Sequence, residues 1–391
     1  TVRSSQKEDT VNRTFLALCA AAMLPAARAS ITVPGANGSD GALTVPDTGV
    51  TTIDLSQAPT GVWDQNNAAN AGKGVYDPDK WAVVFKYSSV NIPSGATVNF
   101  TNNASRAPVV WLVNGNVTIN GTINVGAESS GYGPGPGGFR TGQPFNMPAL
   151  GPGAGDAASD YGGYATAPTG GRTYGNAAIL PLIGGSAGTW VGPGSSGGGA
   201  ILIAATGSIN VAGFILANPN YGSGSGGAIR LVADAISGAG TLNATSSGSS
   251  GVGRIRLEAG NIAPGLLINP DPSAARPGNP AVIWPPATQA SVRIVSIASV
   301  PTPADPLAAI GSGADVPVDM ITGASAFPVV IETKNVATTS VVNLRVAPPG
   351  SAATLVKATL LDGDVNLAHW TVNIGPPAGT TALQVRVEAP Q

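Results

Sequence analysis

The chain of 391 residues carries a formal net charge of −2, and only 10% of its residues are charged. A balance so close to neutral gives no electrostatic basis for binding nucleic acid. Glycine and proline are abundant, with 54 and 33 copies, and the glycine-rich stretches lie between apolar segments of β-strand character. We therefore expect an all-β protein with glycine-rich loops, and the length favours two domains.

Residues 1–29 have the pattern of a signal peptide. A basic start precedes a short apolar segment, Phe15 to Leu24, and Ala27-Arg28-Ala29 offers small residues before a cleavage point. The apolar segment is too short for a permanent membrane span, and no other span is evident after it. The single cysteine, Cys19, lies in this leader, so we expect no disulfide in the mature chain. The pattern predicts a secreted or bacterial cell-surface protein.

Residues 30–125 are predicted to form an N-terminal cap and the first coils of a parallel β-helix. In the segment from Trp81 to Tyr87, alternate residues are large and apolar, which is typical of a strand. Asn116 to Val125 alternates in the same way around Gly121. The glycine permits a sharp bend between two short strands.

Residues 126–198 are predicted to be a glycine-rich insertion. Aromatic side chains spaced by glycines suit a surface that stacks on a glycan, and they equally suit a flap pinned over one face of the coils. The candidate ligand-binding aromatics are Tyr132, Phe139, Tyr161, Tyr164, Tyr174 and Trp190.

Residues 199–265 contain a short apolar pattern three times, beginning at Gly199, Gly227 and Gly253, so the starts are 28 and 26 residues apart. A near-constant period is typical of a solenoid, in which each repeat buries its apolar face against its neighbours. We predict further β-helix coils here. Residues 266–290 are rich in proline and are predicted to be a linker or closing cap.

Alternation within these repeats also predicts which face of the strand each charged residue lies on. The apolar residues are expected to point inward and Arg230, Arg254, Arg256 and Glu258 outward. Arg256 would stack over Arg230, which is unfavourable unless the pair is solvated or offset by Glu258. Two interpretations stay open. Arg230, Arg254 and Arg256 can form a basic strip that binds an acidic polymer, or they can belong to a solvated outer face.

Several segments carry a resemblance to known proteins. The segments 81–87, 108–119, 226–231 and 253–257 resemble those of a group of glycine-rich, exported bacterial proteins. The resemblance spans about residues 30–265 and implies export and a pectate-lyase-like parallel β-helix. It implies no catalytic residues.

Residues 291–391 are predicted to form a small immunoglobulin-like β-sandwich without the usual cysteine pair. Short strand-like segments alternate with proline and glycine turns, among them Leu355 to Leu360. The overall prediction is thus an all-β chain, with a parallel β-helix solenoid followed by a small β-sandwich.

The residue inventory gives little basis for catalysis. The sole histidine, His369, lies far from the Gly/Ser tracts that mimic nucleophile motifs, so neither a serine–histidine triad nor a histidine zinc site is expected. Pairs of carboxylates, Asp77 with Asp79, Asp156 with Asp160 and Asp234 with Glu258, form no dense cluster. We predict no catalytic residue, metal or cofactor.

The sequence therefore favours a noncatalytic, adhesin-like or structural protein outside the cytoplasm, with an extracellular polysaccharide or surface protein as partner. The alternative is a polysaccharide-binding or polysaccharide-degrading protein built on the same β-helix.

Overall fold

The computed structural model describes residues 30–65, 71–128, 133–140, 149–154, 170–188, 196–220, 223–246, 250–302, 326–348, 353–376 and 381–388. These residues form strands and loops, with one short 3-10 turn at Leu55–Gln57 and no α-helix in the described ranges. The prediction of an all-β protein is confirmed. Nothing helical in this part of the chain has the length and apolar character needed to cross a bilayer.

The first part of the chain forms two sheets whose strands pair almost entirely in parallel. In chain order these strands are β1 Ala42–Thr44, β2 Thr48–Asp54, β3 Val75–Asp77, β4 Ala82–Tyr87, β5 Ser89–Ile92, β6 Gly95–Thr101, β7 Val109–Val113, β8 Val117–Ile119, β9 Thr122–Asn124, β10 Ala200–Ala205, β11 Ser208–Val211, β12 Phe214–Leu216, β13 Ala228–Ser237, β14 Thr241–Asn243, β15 Arg254–Ile262, β16 Leu267–Asn269 and β17 Ser273–Ala275.

The larger sheet has the order β1-β5-β8-β11-β13-β10-β7-β4-β3, with β15 beside β13 and β17 beside β15. The second sheet has the order β16-β14-β12-β9-β6-β2. Only β3 and β4 pair antiparallel among these strands. The long strand β13 joins two ladders, because its first half pairs with β10 and its second half with β11. The chain thus visits the same ladders in the same order in successive repeats.

Equivalent residues of the repeats lie side by side in these ladders. Ile201 pairs with Ile229, and Ile229 with Ile255, so the predicted alignment of the three repeats is confirmed. Their side chains, with those of the neighbouring strands, form one continuous buried core. At the bend, a Cβ on Gly213 would lie 1.9 Å from the carbonyl oxygen of Gly121. Only glycine allows successive bends to stack this closely.

The outer face of β4, β7, β10 and β13 is also buried. Val84, Val110, Leu202 and Val232 belong to a second apolar cluster, on the side opposite the main core. Segments distant in sequence cover it, namely 31–33, 179–182 and 281–283. Residues 179–182 lie in the predicted insertion, so this part of it does lie against a face of the strands. Burial on both faces is typical of parallel sheets.

Glycine-rich segments near these strands form a bundle held by backbone hydrogen bonds. Segment 184–185 bonds both 137–139 and 197–198, and the last two segments also bond each other. In a β-sheet the two neighbours of a strand do not bond each other, so this arrangement is a three-way bundle. A Cβ on Gly197 would lie 1.9 Å from the carbonyl oxygen of Gly185, which explains the demand for glycine.

The repeat continues beyond residue 265, where a proline-rich linker was predicted. Strand β16 pairs with β14, and β17 pairs with β15, both in parallel. Pro270, Pro272 and Pro277 fall outside these short strands, so they do not interrupt the ladders. Residues 266–290, predicted to be a linker or closing cap, therefore contribute two short strands and part of the cover of the outer face.

The last part of the chain forms two antiparallel sheets. The strands are β18 Ser291–Ile297, β19 Val300–Pro301, β20 Phe327–Lys334, β21 Val341–Ala347, β22 Thr354–Lys357, β23 Thr359–Gly363, β24 Ala368–Ile374 and β25 Ala382–Glu388. Their orders are β19-β18-β20-β24-β23 and β22-β21-β25, and both sheets contribute side chains to one core. The single strand predicted from Leu355 to Leu360 is two strands, because the chain leaves one sheet for the other at the buried Ala358.

Candidate functional site

The predicted basic strip is a buried ion-pair cluster. Arg230 and Arg256 are paired across β13 and β15, as predicted, and both contact Oε1 of Glu258, at 2.9 and 3.3 Å. However, the Arg230 side chain is only 1% exposed. It lies on the outer side of the sheet, as alternation requires, but the segment 281–283 covers it. The prediction of a solvated outer face was therefore wrong for Arg230.

Arg230 also holds the covering segment in place. Its Nη2 donates to the carbonyl oxygen of Val282 at 2.6 Å, and its Nη1 to that of Ile283 at 3.4 Å. Burial lowers the pKa of the guanidinium, and Glu258 opposes that effect. Arg256 keeps 16% of its side chain exposed. With its donors engaged and covered, Arg230 is not placed to bind an acidic polymer.

Two of the predicted aromatic residues lie together. The rings of Phe139 and Tyr174 meet edge to face with centroids 6.4 Å apart, and Phe139 is only 8% exposed. The Tyr174 hydroxyl donates to the carbonyl oxygen of Gly184, within the glycine bundle. The remaining candidates, Tyr132, Tyr161, Tyr164 and Trp190, lie outside the described residues.

A cleft of about 240 Å³ opens beside this aromatic pair. Its polar side chains come from distant parts of the chain: Tyr174, Asn176, Arg254 and Gln289. Backbone of the segments 225–228 and 252–253 completes the wall. Leu180 fixes two of these side chains, since its carbonyl oxygen accepts from Asn176 Nδ2 at 2.6 Å and from Gln289 Nε2 at 2.7 Å.

Arg254 supplies the charge of this cleft. It begins β15, and within the described ranges no carboxylate lies at ion-pair distance from its guanidinium. Burial lowers the pKa of Arg254, and the neighbouring Tyr174 opposes that shift. Burial also raises the pKa of Tyr174, so its hydroxyl stays protonated. A cation held in a concave site without a counter-ion can pair with a carboxylate or sulfate of a ligand.

Of the predicted carboxylate pairs, Asp77, Asp234 and Glu258 have structural partners, whereas Asp79 is exposed. Asp77 is 3% exposed and accepts from the backbone N–H groups of Trp63 and Asp79, at 2.8 and 2.9 Å. Oδ1 of Asp234 accepts from the backbone N–H of Ile31 at 2.8 Å, tying the start of the described chain to β13. Asp156 and Asp160 lie outside the described residues.

The sole histidine lies on the last antiparallel sheet. His369 Nδ1 is 2.7 Å from Oδ1 of Asp362, and Nε2 is 3.9 Å from Oε2 of Glu332. These side chains are cross-strand neighbours. Across the described ranges, no three side chains of the His, Cys, Asp and Glu types come together as a metal-binding group. The arrangement is a row of side-chain contacts across neighbouring strands.

Sequence reasoning placed Arg254 on the outer face with Arg230 and Arg256 but not in a cleft, and it did not select Asn176 or Gln289 as site residues. Arg254 carried a signal, since it begins a repeat at the position held by Ala200 and Ala228 in the neighbouring strands. A charged residue at a strand start, next to glycines of the preceding repeat, is a candidate cleft position. Comparisons with protein-family models, curated proteins and solved structures find no match to this chain.

Proposed function

We propose that this chain is an exported, noncatalytic surface protein in which a parallel β-helix scaffold carries binding surfaces and an immunoglobulin-like sandwich follows it. The in-register ladders and the continuous core between them support the β-helix. Two antiparallel sheets around one core support the sandwich. Export rests on the leader-like pattern of residues 1–29, which lie outside the described residues.

The observation that carries the noncatalytic proposal is the use of three described candidate carboxylates, Asp77, Asp234 and Glu258. Acid–base chemistry on a sugar needs a carboxyl group that can reach the ligand and exchange a proton. Asp77 and Asp234 instead hold backbone N–H groups, and Glu258 neutralises Arg230. These groups serve the fold, which favours a scaffold over an enzyme.

The test is incubation of the purified chain with polygalacturonate and with hydroxyethyl cellulose, scoring new reducing ends over time. We expect none above the level of a protein-free control. New ends that rise in proportion to protein concentration would overturn the noncatalytic proposal, whatever the binding behaviour.

A second candidate function is the binding of an acidic polysaccharide, and Arg254 favours it. The Arg254 guanidinium can pair with a uronate carboxylate, while Tyr174 and the glycine-containing segments 225–228 and 252–253 enclose the sugar. Affinity electrophoresis in polygalacturonate tests this. Arg254→Gln should abolish retardation, and Arg276→Gln, which removes an exposed arginine outside the cleft, should leave it unchanged.

A further inference from the structure

Across β6, β9, β12, β14 and β16, the outer face of the second sheet carries uncharged side chains in regular rows. One outward row runs across β6, β9, β12, β14 and β16 through successive paired residues: Thr97, Thr122, Phe214, Thr241 and Leu267. A second row beside it contains Asn124, Leu216, Asn243 and Asn269. The residues between the rows, such as Ile123 and Ile215, point into the core. We call the nine residues of these two rows the Thr/Asn face.

This face carries no charge. The segments 88–105, 114–127, 205–220, 235–253 and 259–270, which build its strands and bends, contain no Asp, Glu, Lys, Arg or His. An uncharged surface offers nothing for ion pairing with an acidic polymer, and it imposes no charge-desolvation penalty on a neutral one. The chemistry it offers is hydrogen bonding and apolar contact.

Phe214 lies at the centre of the first row. Its ring is 49% exposed, and its paired neighbours on either side are Thr122 and Thr241. The flat ring of a phenylalanine can stack on the apolar face of a pyranose ring, while flanking hydroxyl and amide groups satisfy the sugar hydroxyls. The central position gives such a ring neighbours of this kind on both sides.

The asparagines beside Phe214 are held in place by the chain. Asn124 Oδ1 accepts from the backbone N–H of Gly126 at 2.9 Å, and Asn243 Oδ1 accepts from that of Thr245 at 3.0 Å. These bonds orient both side chains before any ligand arrives, which reduces the entropy lost on binding. The Nδ2 groups of both residues have no acceptor among the described residues, so they are available as donors.

We propose that the Thr/Asn face binds a neutral, extended polysaccharide, with one sugar ring stacked on Phe214 and neighbouring sugars hydrogen-bonded by Asn124 and Asn243. Parallel strands are spaced by about 4.8 Å, so equivalent side chains recur at an interval close to the length of one sugar unit in an extended chain. The site is separate from the Arg254 cleft. It gives the proposed scaffold a partner, and it stands or falls independently of the noncatalytic proposal.

The experiment is affinity electrophoresis of the purified chain in hydroxyethyl cellulose, a soluble neutral polysaccharide. Phe214→Ala should raise the apparent Kd by about five- to tenfold, and Phe214→Trp should restore binding. Asn124→Asp keeps the acceptor for Gly126 but removes the Nδ2 donor and adds a charge, so it should also weaken binding. Val365→Ala, at a residue with the same 49% exposure in the turn between β23 and β24, is the matched control and should bind normally.

Circular dichroism melting of each variant is the control for folding, and we expect the fold to be retained because the Phe214 side chain is half-exposed. Retardation of the wild-type chain should be unchanged by added salt, since no ion pair is involved. Absence of retardation in hydroxyethyl cellulose, or equal retardation of wild type and Phe214→Ala, would overturn this inference. Retardation in polygalacturonate that is lost with Phe214→Ala would overturn it as well. Reducing ends released while binding persists would count only against the noncatalytic proposal.

Discussion

Glu258 is the residue whose replacement tests the buried outer face most directly. Its side chain is 8% exposed, and its Oε1 contacts both Arg230 and Arg256. In Glu258→Gln the shape is retained and the negative charge is lost. Arg230 is then a covered cation beside a second arginine, with only backbone carbonyls and an amide oxygen as partners.

The expected loss follows from this geometry. Removal of one partner from a buried ion pair costs about 3–5 kcal/mol. We expect a loss near the lower end, about 3 kcal/mol, because the glutamine oxygen can still accept from Arg230 Nε. In the Glu258→Gln background, Arg230→Met should cost less than in the wild type, with a coupling of about 1–3 kcal/mol, because the two groups act as one unit.

The assay is unfolding in urea, monitored by circular dichroism. The free energies of unfolding are compared with one denaturant dependence (m value) for all variants. Asp271→Asn makes the same change of charge at an exposed residue and should stay within about 0.5 kcal/mol of the wild type. If Glu258→Gln and Asp271→Asn have the same free energy of unfolding, the Glu258 carboxylate does not neutralise a buried guanidinium. The covered outer face would then be refuted.

Two further predictions concern packing and pH. Gly227→Ala places a Cβ 1.8 Å from a backbone oxygen of the adjacent repeat and should cost at least about 3 kcal/mol in thermal unfolding, whereas Gly278→Ala, with its nearest atom at 3.1 Å, should be neutral. Burial raises the pKa of Glu332, but the hydrogen bond and charge of Arg293 outweigh it and hold that pKa below its usual value. A carboxyl group whose pKa is lower in the folded state stabilises the fold at pH values above its unfolded pKa of about 4.3. That stabilisation is lost as the pH falls toward the folded-state pKa. In Arg293→Ala we expect the free energy of unfolding to fall less between about pH 5 and the acid limit. The difference from the wild type should be about 1 kcal/mol or less, because Arg293 is largely exposed. An unchanged pH profile would contradict the pairing.

The ladders and their register could be predicted from the sequence because they depend on local alternation. Ile201, Ile229 and Ile255 occupy one position in a repeated pattern, and position within the pattern decides both the face and the neighbour. The covering of the outer face depends on segments far away in the chain, so alternation alone could not reveal it. One signal was present. Strand β10 is apolar at every residue, which is typical of a strand buried on both faces, and Arg230 lies next to it in register.

The Arg254 cleft could not be predicted for a related reason. Its wall combines residues near 174, 226, 253 and 289, which lie far apart in the sequence. Sequence patterns treat glycine-rich stretches as loops because they lack side chains to count. Here the missing side chains are the cause of the packing, since backbone oxygens occupy the space that a Cβ would fill.

The two outward walls of the ladders explain the low charge of the chain. On the wall of β10 and β13, apolar side chains lie under cover, and Arg230 is retained only where Glu258 and backbone carbonyls satisfy it. On the wall of β12 and β14, the outward side chains carry no charge: Thr241 and Asn243 offer a hydroxyl and an amide, and Phe214 offers a half-exposed ring. Solubility alone would favour charges on an open wall. Their absence across successive repeats, around an exposed aromatic ring, favours a surface kept neutral for contact with a neutral partner.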